Sequence, residues 1–288
     1  MSRRLFRRLR APISMQIEVT SACNCKCVHC YNYWRDKSEL ALVGDSAPTN
    51  MTMDTAKRVL EQCVENELFG IVLTGGEPFL NFPILKWFTE EGIKNGLTVM
   101  LNTNLSLITN EQIDWLSESG ILGVLTSVLG NSAEVHDKIT TVNGSFDATL
   151  SRLSSLLNKG VNVCANFVVS QLNCDHLEAT VEMLNNYGLK AMTISPVACP
   201  EYCDNFANLG LNNKSLVSFL NRFLFLRKRF GFLQDIQAPL PLCALEGVDD
   251  LVCFSRKSCS IGRRHVACSA TGDIRPCVNF DIISETSL

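Results

Sequence analysis

Four cysteines lie within eight residues in the segment CNCKCVHC, which runs from Cys23 to Cys30. The run MQIEVT before it has the composition of a strand, which places the cysteines on the loop that follows. The chain contains fourteen cysteines, and its start, MSRRLFRRLR, lacks the apolar core of an export signal. A disulfide framework is therefore disfavoured, and ligation of a metal ion or an iron-sulfur cluster is the leading interpretation.

Composition limits the alternatives. The chain has 288 residues, 46% hydrophobic and 19% charged, which allows one large domain with a sizeable core and a small appendix. No apolar run reaches the length of about 18 residues that a membrane span needs, so we expect a cytoplasmic protein without a membrane partner. The net charge of −3 argues against nucleic-acid binding, and the arginine-rich start is interpreted as a solvated tail.

Strand-like runs alternate with segments of helical spacing, a pattern that predicts an α/β fold with a parallel sheet. Six units are too few to close an eight-stranded barrel, so we expect a partial (β/α)6 barrel with its site at the carboxyl ends of the strands. The predicted strands are Met15–Thr20, Gly70–Thr74, Leu97–Leu101, Ile121–Ser127, Val161–Val169 and Leu189–Ser195.

We expect four parts in the chain. A basic tail, 1–14, precedes the barrel, 15–212, and a bridging helix with a linker, 213–242, leads to a cysteine-rich region, 243–288. That last region contains five cysteines: Cys243, Cys253, Cys259, Cys268 and Cys277. Cys63 and Cys164 lie at apolar positions of the pattern and are interpreted as core residues.

Distinctive polar groups follow successive predicted strands. GGEP (75–78) follows the second strand, NTN (102–104) the third, and Ser127 ends the fourth. Each has a structural alternative, because glycines make turns, Asn104 could cap a helix and Ser127 could satisfy a strand end. Their shared position at the carboxyl ends of strands favours a site.

Within the cysteine segment, Cys23, Cys27 and Cys30 form a C-x3-C-x2-C pattern that would supply three thiolates to a 4Fe-4S cluster. One iron would then stay open for another ligand. Cys25 is interpreted as a spare cysteine, because its neighbours on a tight loop make joint ligation awkward. A zinc site is the alternative, although zinc ligands usually come as two separated pairs.

This pattern, with His29 before the third cysteine and GGEP after the next strand, resembles the radical S-adenosylmethionine (SAM) superfamily. The resemblance implies that SAM chelates the open iron and is cleaved to a 5'-deoxyadenosyl radical. It also implies that Gly75, Gly76 and Glu77 contact the amino group of SAM. Asn104 and Ser127 would contact the ribose and the carboxylate.

The C-terminal cysteines resemble the start of a SPASM or twitch extension, in which an auxiliary 4Fe-4S cluster is held by cysteines. By this resemblance the ligands would be Cys253, Cys259 and Cys277, while the fourth is open between Cys268, Cys243 and a residue further along. The full SPASM pattern does not fit before Leu288, so we expect a shortened extension or a fragment of a longer protein.

Three positions depart from the resembled families. Leu129 stands where an acid is common, and Thr140 lies where an arginine is often found, which affects the carboxylate side of the SAM site. Val278 replaces the acid that serves as a base in the sulfatase-maturing branch, so that activity is disfavoured. No general base is identified, and a surface role is favoured for each of the candidates His136, Asp137, Asp273 and Asp281.

The resemblance as a whole implies hydrogen abstraction from a peptide or protein, with maturation of a ribosomally made peptide as the first choice. Implied partners are a reductant such as flavodoxin or ferredoxin and a separate leader-binding protein. Two alternatives stay open: a radical SAM enzyme acting on a tetrapyrrole or cofactor precursor, and a non-catalytic iron-sulfur redox protein.

Overall fold

The computed structural model describes residues 9–31, 48–197, 206–237, 240, 259 and 261–279. Within these ranges nine strands form one sheet, in the order β7-β6-β5-β4-β3-β2-β1-β8-β9. The strands are β1 Ser14–Glu18, β2 Gly70–Thr74, β3 Thr98–Asn102, β4 Gly123–Ser127, β5 Val163–Val169, β6 Ala191–Pro196, β7 Leu233–Ile236, β8 His265–Cys268 and β9 Ile274–Arg275.

Helices connect the strands in the right order for repeated βα units. They are α1 Met53–Glu65, α2 Phe82–Lys94, α3 Asn110–Glu118, α4 Ala133–Thr140, α5 Ser145–Asn158, α6 Leu177–Asn186, α7 Phe206–Leu209 and α8 Asn213–Phe230. Two short 3₁₀ segments, Pro78–Asn81 and Cys174–His176, precede α2 and α6. Nothing in the described ranges qualifies as a membrane-spanning helix.

The six predicted strands are confirmed as β1 to β6 to within two residues at either end, and all of their mutual pairings are parallel. The sheet is wider than predicted. Strand β7 extends it beyond β6, and β8 pairs in parallel with β1 at the opposite edge. Strand β9 closes that edge by pairing antiparallel with β8.

The two faces of the sheet differ in chemistry because side chains alternate along each strand. One face belongs to the apolar core, with fully buried residues such as Ile17, Leu73, Leu101, Phe167 and Ile194. The alternate positions near the carboxyl ends of the strands are polar: Glu18, Thr74, Asn102, Ser127, Asn166 and Ser195. The strands therefore offer polar side chains on the face turned away from that core.

Candidate functional site

The cysteine loop that follows β1 is bound to the loop that follows β2 through their backbones. The N–H of Gly76 donates to the carbonyl of Thr20 at 2.8 Å, and the N–H of Glu77 donates to Ala22 at 2.7 Å. Both glycines are required by this close approach: a Cβ on Gly75 would lie 2.3 Å from Thr20 O, and one on Gly76 would lie 1.9 Å from Ala22 O. The glycines of GGEP thus fix the chain directly before Cys23.

The carboxyl end of α4 holds the middle of the cysteine loop. Lys26 N–H donates to the carbonyl of Thr140 at 3.0 Å, and Val28 N–H donates to Ile139 at 2.9 Å. The hydroxyl of Thr141 donates back to the carbonyl of Lys26 at 3.0 Å. The loop therefore satisfies carbonyls that a helix end would otherwise leave without partners.

Asn104, after β3, forms the third attachment of the loop. Its amide nitrogen donates to the side-chain oxygen of Asn24 at 2.8 Å and lies 3.5 Å from the sulfur of Cys25. Ser106 completes the network, because its hydroxyl donates to Asn104 Oδ1 at 2.7 Å and accepts from Asn24 Nδ2 at 2.7 Å. The side chain of Asn104 thus faces the cysteine loop.

Glu77 is a buried carboxylate, 1% exposed, that joins the loops after β2 and β3. It accepts hydrogen bonds from Thr103 Oγ1 at 2.7 Å, Asn104 N at 2.8 Å and Phe79 N at 3.3 Å. Burial raises the pKa of Glu77 to about 7, although these three donors lower it in part. The Glu77 carboxylate thus links the loops after β2 and β3 through hydrogen bonds within its own chain.

The four cysteines of the loop differ in burial. Cys23, Cys27 and Cys30 are partly exposed, whereas Cys25 is buried. The Cys23 thiol is the largest influence on Cys25 and lowers its pKa, but the Cys27 thiol, burial and the charges of Cys27 and Glu77 together raise that pKa to about 12. The three cysteines of the C-x3-C-x2-C pattern are therefore the accessible ones.

This donor set fits a 4Fe-4S cluster better than a single ion. In the part of the chain that is described, no three His, Cys, Asp or Glu side chains are grouped closely enough to hold one metal ion. A cubane cluster binds each thiolate at a separate iron, so its ligands are spread around it. Three accessible thiols on one loop, held from three sides, match that need.

Ser127 lies at the carboxyl end of β4 and is partly exposed. In register beside it on β5 lies Asn166, whose side-chain oxygen accepts a hydrogen bond from Ser195 Oγ on β6 at 2.9 Å. Neither Asn166 nor Ser195 was predicted from the sequence to lie at the site. The signal for Asn166 in the sequence is its polar side chain within an otherwise apolar run, VCANFVV.

Comparison with known proteins agrees with this geometry. The family model described as "Radical SAM superfamily" matches residues 17–184, which is more than half of the chain. The chain belongs to the radical SAM superfamily.

Relatives within this superfamily have several functions. The chain is 29% identical over 181 residues to the AdoMet-dependent heme synthase of Methanosarcina barkeri, covering 63% of this chain and 49% of the relative. It is also 29% identical over 183 residues to the mycofactocin maturase MftC of Mycolicibacterium smegmatis, covering 63% of this chain and 44% of the relative. The chain thus spans about half the length of these curated relatives.

Among solved structures, Streptococcus suis SuiB bound to precursor peptide SuiA is similar in fold. Its TM-score is 0.78 at 14% sequence identity, and the match covers 98% of this chain and 63% of that chain. The match confirms the predicted fold, a partial barrel of the radical SAM type.

Leu129, one of the departures from the superfamily pattern, is accommodated by apolar packing. It is buried in a small cluster with Val135 and Ile139. Its N–H donates to Nδ1 of His136 at 3.2 Å, and burial lowers the pKa of that imidazole to about 4. The predicted surface role of His136 is therefore wrong, because this residue is only 2% exposed and contacts the Leu129 backbone.

Asp137 and Asp273 serve local structure. Asp137 accepts hydrogen bonds from Gly144 N, Ser145 Oγ and Phe146 N, all within 2.8 Å, and so shapes the turn before α5. Asp273 accepts from Ser269 Oγ at 3.3 Å in the turn between β8 and β9. The remaining candidate base, Asp281, lies outside the described residues.

A buried ion pair joins the last strand to the first. Arg275 Nη2 lies 2.7 Å from Glu18 Oε1, and the two side chains are 0% and 4% exposed. Tyr31 lies close by, with its phenol hydrogen-bonded to Thr74. Burial, with the charges of Glu18, Cys30 and Cys277, raises the Tyr31 pKa above its usual range. The C-terminal strands thereby bring Cys277 towards the first cysteine loop.

The proposed auxiliary ligands are only partly described. Cys259 is exposed and Cys277 partly buried, while Cys253 and Cys243 lie outside the described residues. Cys268 is fully buried in β8, where burial first, and the nearby Cys63 second, raise the pKa of its thiol. Such a position is typical of core packing, as predicted for Cys63, which is also fully buried.

Proposed function

We propose that this protein is a radical SAM enzyme that holds a 4Fe-4S cluster on Cys23, Cys27 and Cys30 and cleaves SAM reductively. The attachment of the cysteine loop at three points, to the β2 loop, the β3 loop and α4, is the observation that carries the proposal. When bound, the reduced cluster supplies the electron for the cleavage.

The residues at the strand ends would position SAM. We assign the amino group to the backbone carbonyls of Gly75, Gly76 and Glu77, because the Glu77 carboxylate is already occupied by donors of its own chain. Ser127 is accessible for the carboxylate or ribose. Asn104 would act first by orienting the cysteine loop, and its contact with the ribose is the part carried over from the superfamily resemblance.

A second cluster is part of the proposal. Cys253, Cys259 and Cys277 are its candidate ligands, with the fourth supplied by Cys243 or by a residue further along the chain. Support comes from the accessibility of two of these thiols, since Cys259 is exposed and Cys277 is partly exposed. The deep burial of Cys268 argues against it as the fourth ligand.

Maturation of a ribosomally made peptide is the substrate class we favour. The maturase MftC is 29% identical to this chain over 183 residues, and this supports a peptide substrate. A tetrapyrrole is the second candidate, supported by the AdoMet-dependent heme synthase at the same identity. A flavodoxin or ferredoxin would supply electrons, and a separate protein would present a peptide leader.

The first test is anaerobic reconstitution with iron and sulfide, followed by reduction and addition of SAM. We expect 5'-deoxyadenosine from the unaltered protein and none from a Cys23→Ala, Cys27→Ala, Cys30→Ala variant. Cys63→Ala is the matched control, because it removes a buried cysteine outside the loop. Absence of 5'-deoxyadenosine from fully loaded protein would refute the catalytic proposal.

The substrate class is tested by adding two candidates to the active protein. One is a precursor peptide encoded beside the gene, and the other is an iron-coproporphyrin. A SAM-dependent change in the mass of the peptide supports maturation, whereas a SAM-dependent change in the mass of the porphyrin supports the second candidate. Deuterium transfer from labelled substrate to 5'-deoxyadenosine identifies the hydrogen donor in either case.

A further inference from the structure

Cys25 is the cysteine that the C-x3-C-x2-C pattern leaves out, and it is the one buried residue among positions 21–30. Its exposed fraction is 2%. A buried cysteine is most often a small apolar core residue, so burial alone gives it no role. Its contacts with the cluster ligands are the observation that suggests one.

Cys25 is placed to donate hydrogen bonds to two of the three ligands. Its backbone N–H donates to the sulfur of Cys23 at 3.5 Å. Its thiol neighbours the thiols of both Cys23 and Cys27. When Cys23 and Cys27 bind iron they do so as thiolates, which can only accept hydrogen bonds, so the S–H and N–H of Cys25 become the donors.

Asn104, on the loop after β3, contacts Cys25 through its side-chain amide. Its amide nitrogen lies 3.5 Å from the Cys25 sulfur and 3.9 Å from the Cys23 sulfur. The amide is held in this orientation by Asn24 and by two hydrogen bonds from Ser106 to its oxygen. The donors beneath the loop are therefore fixed before a cluster binds.

Donors aimed at cluster sulfurs stabilise the reduced cluster more than the oxidised one, because reduction adds negative charge. We propose that Cys25 and Asn104 form a hydrogen-bonded layer beneath the cysteine loop that raises the reduction potential of the bound cluster. This role rests on the proposed function, since it requires a cluster on Cys23, Cys27 and Cys30. Cys25 and Asn104 are thus positioning residues for that reaction.

The test is a redox titration of the reconstituted protein in the absence of SAM, followed by electron paramagnetic resonance. Cys25→Ala is expected to bind as much iron as the unaltered protein and to shift the midpoint potential lower. Cys25→Ser, which keeps a donor, should lie closer to the unaltered value. Cys63→Ala removes a buried thiol away from the loop and should not shift the potential.

Asn104→Leu gives a second measurement that does not depend on the folding of Cys25→Ala, and it too should lower the potential. An unchanged potential in Cys25→Ala, from a protein that binds its cluster and cleaves SAM, overturns this inference and leaves the proposed function intact. Loss of cluster iron in both Cys25 variants would make Cys25 a ligand and also overturn it. Failure of the unaltered protein to take up a cluster would instead refute the proposed function.

Discussion

The cysteine loop and the C-terminal strands are attached to the same barrel in different ways. The loop is held by neutral hydrogen bonds from three separate elements, and Glu77 beside it accepts only from N–H and O–H groups. The C-terminal strands are held by short β pairings and by the buried pair of Glu18 with Arg275. The first attachment is spread over several neutral contacts, whereas the second combines β pairing with one buried charge contact.

This difference has a physical consequence. Losing one neutral hydrogen bond of several costs about 1 kcal/mol, because its partners stay in place. Removing one member of a buried ion pair leaves the other charge buried without its partner in a medium of low dielectric. The attachment of the C-terminal strands should therefore be sensitive to single substitutions, whereas the attachment of the cysteine loop should tolerate most single substitutions.

The largest effect is expected from Arg275→Met. It leaves the Glu18 carboxylate buried without its partner, and the free energy of unfolding should fall by about 3 to 5 kcal/mol. Urea denaturation of the metal-free protein measures this. A double variant that adds Glu18→Leu should recover most of the loss, since no charge then remains buried.

The control is the exposed pair of Lys86 with Glu90, whose atoms lie 3.8 Å apart. Lys86→Ala should change the free energy of unfolding by less than about 1 kcal/mol. If Arg275→Met lowers the free energy of unfolding no more than Lys86→Ala does, the attachment of the C-terminal strands is not the more sensitive of the two.

Glu77 provides the next test, through pH. Burial, opposed by its three hydrogen bonds, raises its pKa from 4.5 to about 7, so the folded protein binds a proton more tightly than the unfolded chain. Stability is therefore greatest below pH 4.5 with respect to this group and falls as the pH rises through 7, by up to about 3 kcal/mol. Glu77→Gln should remove this decline.

Glu77→Gln also disturbs the hydrogen bonds of this side chain, which changes the free energy of unfolding at every pH. The variant and the unaltered protein are therefore compared by the slope of the free energy of unfolding against pH. Glu90→Gln, at an exposed position, should leave the decline unchanged. A decline of equal size in Glu77→Gln would assign it to another group, and Glu18 is the first candidate, because burial raises its pKa although Arg275 lowers it in part.

Gly76→Ala tests how far the loop tolerates a change in its backbone contacts. A Cβ there would lie 1.9 Å from Ala22 O, so the chain before Cys23 must move. A displacement of this kind should lower the rate of 5'-deoxyadenosine formation on the order of 100-fold. Gly96→Ala is the control: its φ of +82° makes an alanine there strained, but the added Cβ meets no atom within 4 Å. Unchanged turnover in Gly76→Ala would contradict the close-packed attachment.

The same contrast explains what the sequence predicts well. Strands β1 to β6 were predictable because β-branched and apolar residues fill runs such as GIVLT, and Gly120, Gly160 and Gly188 end helices with φ near +80°. Strands β7, β8 and β9 were not predicted. Runs as short as HVAC and IR show no clear alternation, and β8 is stabilised by pairing with an edge of β1.

At the site, the local sequence pattern indicates which residue types follow each strand and in what order. Their hydrogen-bond and ion-pair partners are set by the tertiary structure. The cysteine loop, GGEP and Asn104 were recognisable because they follow strands in sequence. The pairing of Glu18 with Arg275 was not, since a lone arginine in the segment DIRPC has no local signal for its burial. The buried contact of His136 with Leu129 likewise depends on packing between α4 and the end of β4.

The smallest effect is expected from Asp137→Asn. Burial raises the pKa of Asp137, but hydrogen bonds from Ser145, Phe146 and Gly144 outweigh it and hold the pKa below its ordinary value of 3.8. The stabilisation by these bonds is therefore present above that value and is lost as the pH falls through the lowered pKa. At pH 7 the variant should lose about 1 kcal/mol, and the difference should shrink below pH 4.

Iron loading of Asp137→Asn should stay at the unaltered level, even though α4, which carries Asp137, binds the loop at Lys26 and Val28. The contacts with Gly76, Glu77 and Asn104 remain and keep the loop in place. A large fall in iron loading would show that α4 alone holds the loop. The cysteine loop would then depend on one attachment, as the C-terminal strands depend on Arg275.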